Sequence, residues 1–179
     1  MGAENKADLK EWAASGVELG SIPWNKLPDI NLYMDQVITL LGEKLSFYEC
    51  GEYDKLLSSS MINNYVKNGL IEHPEKKKYT KEQISRLIMI CILKSVLSIQ
   101  DIAALLNTGE KTEKLYSGFT NTQTDAMVEV SSQLLFALEN GDDLNALALK
   151  FAAEANAKRA ASRKILEYLG NIEKENKKK

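Results

Sequence analysis

Histidine, cysteine and proline are scarce in this 179-residue chain, with one, two and three copies. A single His73 and two distant cysteines, Cys50 and Cys91, exclude the paired spacing of a zinc site. A lone histidine near a turn reads as a solvent-facing loop residue. The two cysteines ask for no disulfide, and Cys91 lies in an apolar helix as a small buried hydrophobe. The longest apolar run, Leu87 to Leu93, is far short of the roughly 20 residues that span a bilayer. The opening MGAENKADLK carries acidic groups and no apolar stretch, so no signal peptide is expected. Lys6 stands where a myristoylation pattern wants a hydroxyl. Sparse cysteine then points to the reducing cytoplasm. The chain has no glycine-rich phosphate loop, nucleophile elbow or HExxH pair. Ser58 to Ser60 and Asp142-Asp143 suit helix starts better than catalysis. No catalytic residue, metal or cofactor is therefore expected.

The net charge of −2 does not advertise a nucleic-acid binder, but the charge is unevenly spread. Residues 1–54 carry four basic and ten acidic side chains, residues 55–99 eight and three, and residues 100–179 eleven and twelve. The middle segment thus has a local excess of +5, the kind of footprint an anionic partner requires.

Residues 1–30 read as an arm: a weak helix around Ala7 to Ala14, then an irregular stretch with two prolines. Trp12, Trp24, Leu27 and Ile30 are its expected anchors. From 31 to 48, Leu32, Val37, Ile38, Leu41 and Leu45 recur at spacings of three and four, predicting an amphipathic helix started by Asp29 or Asn31. Gly42 inside it hints at a close neighbour. A short helix over 49–57 follows. Further on, Thr80 with Gln83 and Ser98 with Asp101 are capping boxes opening two more helices. Their apolar positions run through Ile84, Leu87, Ile88 and Cys91, and through Ile99, Ile102, Leu105 and Leu106. Residues 110–126 read as loop or weak helix, and Met127 to Glu139 as a firm one. Gly141-Asp142-Asp143 then turns into a long alanine-rich helix expected to stop at Gly170, the two forming a helical hairpin. The tail from 171 to 179 is charged.

The stretch Leu57 to Tyr79 carries the functional signal. A serine turn precedes a helix of about 59–68, ended by Gly69 in a left-handed C′ position. Ile62, Val66 and Tyr65 face inward, while Ser60, Asn63, Asn64 and Lys67 form the polar side. Asparagine is a poor helix former, but it pairs well with adenine edges. EHPEKKK then makes a short hairpin, with Lys76, Lys77 and Lys78 placed for phosphate and Tyr79 at the base.

Three segments in order, MINNYVKNGLI (61–71), KKYTKEQISRL (77–87) and SIQDIAALL (98–106), resemble the DNA-binding domain of MerR-type regulators. Residues 30–106, including LPDINLYMDQV, are similar to a bacterial family catalogued as a domain of unknown function and numbered eighteen thirty-six. The resemblance implies an all-α fold: a winged helix-turn-helix with a minimal β-hairpin wing over 31–108, then a C-terminal helical hairpin over 109–170. It implies a DNA-binding transcriptional regulator acting on double-stranded DNA. The recognition helix would be 59–68, the basic wing 72–79, and the contacts Ser60, Asn63, Asn64, Lys67, Lys76, Lys77, Lys78 and Tyr79. Where that family has an arginine and an aromatic in the recognition helix, this chain has Asn63 and Asn64, which implies a different sequence preference. The C-terminal helices would make a homodimer reading two half-sites about one helical turn apart. A second reading is a non-catalytic protein-interaction adaptor on the same scaffold, because fold does not dictate function. A third is that apolar positions of the C-terminal hairpin line a small-molecule pocket, against the simpler reading of packing or dimer core; no ligand can be named from the sequence.

Overall fold

The structure, a computed structural model, describes residues 2–19, 22–48 and 56–176. Its element order is α1 (Gly2–Leu19), β1 (Leu32–Tyr33), α2 (Met34–Lys44), α3 (Ser59–Lys67), β2 (Lys78–Tyr79), α4 (Lys81–Leu93), α5 (Ile99–Leu106), α6 (Thr112–Asn140) and α7 (Leu144–Asn176), with 3-10 turns at Trp24–Lys26 and Ser46–Tyr48. Among the described residues the fold is mostly helical with one two-stranded sheet, as expected for the all-α class.

The helix starts follow their capping residues. Ser58 Oγ accepts from the Met61 N–H at 3.3 Å. Thr80 Oγ1 accepts from the Gln83 N–H at 3.3 Å, and Gln83 Oε1 accepts from the Thr80 N–H at 2.9 Å, closing the expected box. Gln83 also donates to the Glu72 carbonyl at 3.0 Å, so the box ties the start of α4 to the chain before the turn. Ser98 Oγ accepts from the Asp101 N–H at 3.2 Å. Gly69 takes φ 71° beyond the end of α3, as a C′ glycine should.

The main core is built around α4. Residues 83–85 and 87–91 of this helix are buried, the second group being the first five residues of its apolar run. Val37 and Leu41 of α2, Ile62 and Tyr65 of α3, and Ile102 and Leu106 of α5 close on it, with Tyr116 from α6. Burial pushes the Cys91 thiol up to about 11 from its ordinary 9.0. Tyr116 is fully buried, and its hydroxyl donates to the Ile22 carbonyl at 2.7 Å, fastening the chain ahead of α2 onto α6.

Several expectations change. The 1–30 stretch is not mainly irregular, because α1 is an 18-residue helix lying along α6. Ala13 is fully buried there and its carbonyl accepts from Ser131 Oγ at 2.7 Å. Leu27 is buried and Trp24 joins the core, whereas Ile30 is 71% exposed and anchors nothing. Residues 112–140 form one helix, not a loop followed by a helix. Thr122 and Thr124 return their hydroxyls to carbonyls four residues back, so these threonines are accommodated within the turns. Gly170 does not stop α7, since a helical glycine costs only about 1 kcal/mol relative to Ala. Gly42 meets nothing within 4 Å and so marks no close neighbour. Tyr33 and not Asp29 or Asn31 precedes α2, its N–H bonded to Gln36 Oε1 at 2.9 Å. The short helix expected over 49–57 falls largely outside the described residues, as does Cys50; Leu56 and Leu57 are buried but not helical.

Candidate functional site

The expected hairpin takes another form. Glu75 and Lys78 form a single bridge, with the Lys78 N–H donating to the Glu75 carbonyl at 2.9 Å. Between them Lys76 and Lys77 both have positive φ, 49° and 63°, as in a type I′ turn. The antiparallel partner of β2 is not the chain just before the turn but β1, with Leu32 opposite Tyr79 and Tyr33 opposite Lys78. The sheet therefore joins the entry of α2 to the exit of the lysine turn. Lys78 Nζ lies 4.9 Å from the centroid of the Tyr33 ring across this pair. Behind it, Lys81 Nζ bonds Asp29 at 2.6 Å and sits 5.0 Å from the Trp24 ring centroid.

This pairing opens a cleft of about 1110 Å³ between the start of α2, one face of α3 and the turn. Ser59, Asn63, Val66 and Lys67 form the α3 wall, at helical spacings of four, three and one. Tyr33, Met34, Asp35, Ile38 and Thr39 form the opposite wall, and His73, Pro74 and Lys77 lie at the turn. Asn63, Lys67, Lys77 and Tyr79, four of the expected contacts, thus meet in one cleft.

The others are placed differently. Ser60 is exposed but off the cleft, its Oγ 2.9 Å from Ser58 Oγ. Asn64 is exposed and its side-chain carbonyl accepts from Asn68 Nδ2 at 2.9 Å. Lys76 is exposed at the turn tip, and Lys78 is half-buried over Tyr33. Tyr79 lines the cleft from below, as part of its floor: it is only 1% exposed, and burial raises its hydroxyl pKa. Ser59, Asp35 and Thr39 were missed. Ser59 was legible as the residue four before Asn63. Asp35 and Thr39 reach the cleft through the β1–β2 pairing, for which residues 31–48 carry no local signal.

Among the described residues no group of three His, Cys, Asp or Glu side chains is placed to hold a metal ion. Likewise, no helix among them is long and apolar enough to cross a membrane.

These features define an all-α protein in which a two-stranded sheet braces a basic turn beside an exposed helix face. The chain belongs to the family described as Domain of unknown function (DUF1836), whose model matches residues 22–124. No curated protein and no solved structure matches it. The matched segment contains the whole cleft and leaves α1 and α7 outside.

Proposed function

We propose that residues 31–108 act as a MerR-like winged helix-turn-helix, and that the protein is a non-enzymatic, DNA-binding transcriptional regulator. The observation that carries this reading is the convergence of Asn63 and Lys67 of α3 with Lys77 of the turn. They meet in the one part of the sequence with a clear basic excess. Asparagine supplies the donor and acceptor that a base edge needs, and the exposed lysines supply sequence-independent phosphate affinity. The face that would enter a groove is Ser59, Asn63 and Lys67, turned from the Ser60 and Asn64 side. The C-terminal helices α6 and α7 would pair two copies and set the half-site spacing.

Replacing Lys76, Lys77 and Lys78 by Ala tests this. DNA affinity should fall across all sequences, and the slope of log affinity against log salt should flatten by about two to three, close to 0.9 per lost phosphate contact. A slope equal to that of the parent would remove the turn from the interface. Selection from a random DNA pool should enrich a palindrome.

One observation favours the adaptor reading: Met34, Ile38, Val66 and Pro74 give the cleft an apolar strip beside Asp35, as a peptide would require. Low-salt DNA affinity no better than that of an acidic control protein would select it.

A further inference from the structure

A separate apolar pocket is formed by α1, α6 and α7. Helices α1 and α7 both pack on α6 and leave this pocket of about 200 Å³ between them, open to solvent on the side of the exposed Trp12 and Leu144. Leu9 and Trp12 of α1, Val130 and Leu134 of α6, and Leu147 and Phe151 of α7 line it, with Leu144 and Ala148 at the α7 side. Every lining side chain is apolar. The core beneath is thin, with Ala13, Leu134 and Leu138 as its buried members. Trp12 is held in place by stacking on Phe47, 4.9 Å between centroids at 22°.

The pocket's walls offer water none of the two to four polar partners it seeks, so water held there is readily displaced by an apolar group. The pocket is equally unsuited to an ion, which would lose its hydration with nothing to replace it. An apolar cavity of about 150 Å³ is enough for benzene, and this one is somewhat larger. We infer that the α1–α6–α7 cavity binds a small uncharged aromatic molecule, one ring carrying one or two small apolar substituents. The ring would pack against Trp12 and Phe151. This site shares no residue with the lysine cleft, so it stands or falls separately from DNA binding.

Trp12 provides the test. In the full chain carrying Trp24→Phe it is the one remaining tryptophan. Titration with iodobenzene, whose heavy atom quenches indole emission on contact, should give a saturable loss of fluorescence. Toluene, which does not quench, should compete and restore it, and should raise the melting temperature of the parent by binding the folded state. Ala148→Phe at an exposed helical position fills the cavity from its edge. That variant should keep its helical circular dichroism and lose both the saturable quench and the toluene shift. Quenching that rises linearly in the parent, with no recovery on adding toluene, overturns the site whether or not the variant folds. An identical saturable curve in a folded Ala148→Phe chain overturns its location.

Discussion

Lys76 and Lys77 occupy left-handed backbone that β-hairpins normally give to Asn-Gly. A side chain in that region costs roughly 1–2 kcal/mol. The turn keeps two long cations there because β2 is held on both sides, by β1 and by the Glu72–Gln83 bond. Strain retained at an exposed basic turn suits a contact site, where charge position matters more than local stability. Lys77→Gly should therefore separate the two. The urea midpoint should rise, by about 0.5–1 kcal/mol of stability after allowing for glycine's freedom in the unfolded chain. DNA affinity should fall, with the salt slope flattening by about 0.9. A midpoint that drops would show that these residues are not strained. At this scale much was legible: lysines 76–78 and the caps at Ser58, Thr80 and Ser98 were readable one by one, because caps and turns depend on residues three or four apart. The burial of Tyr79 was not, since its neighbours come from β1 and the core.

Among the elements, α1 and α6 are joined more tightly than either periodicity suggests. A Cβ at Gly16 would lie 2.7 Å from Met127 Cε and 2.8 Å from Phe47 Cζ. Phe47 cannot easily swing away, being stacked on Trp12 and edge-on to Tyr48 at 5.3 Å. Gly42, in α2, has open space around its Cβ position. The same substitution should thus act in opposite directions. Gly42→Ala should stabilise by up to about 1 kcal/mol through helix propensity. Gly16→Ala gains the same propensity but meets an overpacking cost of about 1–3 kcal/mol, leaving a net loss of about 1. Parallel urea melts of the two variants decide the matter, and equal shifts would contradict the close α1–α6–Phe47 contact. Helix α1 was only half visible in the sequence. Its stabilising contacts are to α6, more than a hundred residues away, and no local pattern reports them.

The molecule as a whole divides into a compact core around α4 and a long outer helix. None of the described side chains of α7 is buried, and Leu149, Ile165 and Tyr168 are 73%, 58% and 65% exposed. It meets the body through Leu147 on the small Ala13–Leu134–Leu138 core and through two polar pairs near the surface, Lys150 to Gln133 at 2.7 Å and Arg163 to Asp101 at 3.8 Å. Exposed pairs of this kind contribute little, typically under 1 kcal/mol. A chain ending at Gly141 should therefore keep a cooperative melt. If α7 pairs two copies, light scattering should give the full chain twice the mass of its monomer and the shortened chain the monomer mass. Monomeric full-length protein at micromolar concentration would set the dimer aside.

Sequence alone was enough for the helical class, the capped starts of α3, α4 and α5, the apolar identity of α4 and the basic segment that lines the cleft. Each of these is decided by residues within about one turn of one another, where hydrogen-bond reach and helical spacing act directly. Tertiary structure alone decided that β2 pairs with β1 and not with its own neighbour. It also turned Ser59, Asn63 and Lys67 toward Lys77, buried Tyr79, and laid α1 along α6. Those outcomes depend on which apolar faces exclude water together, a property of segments far apart in the chain.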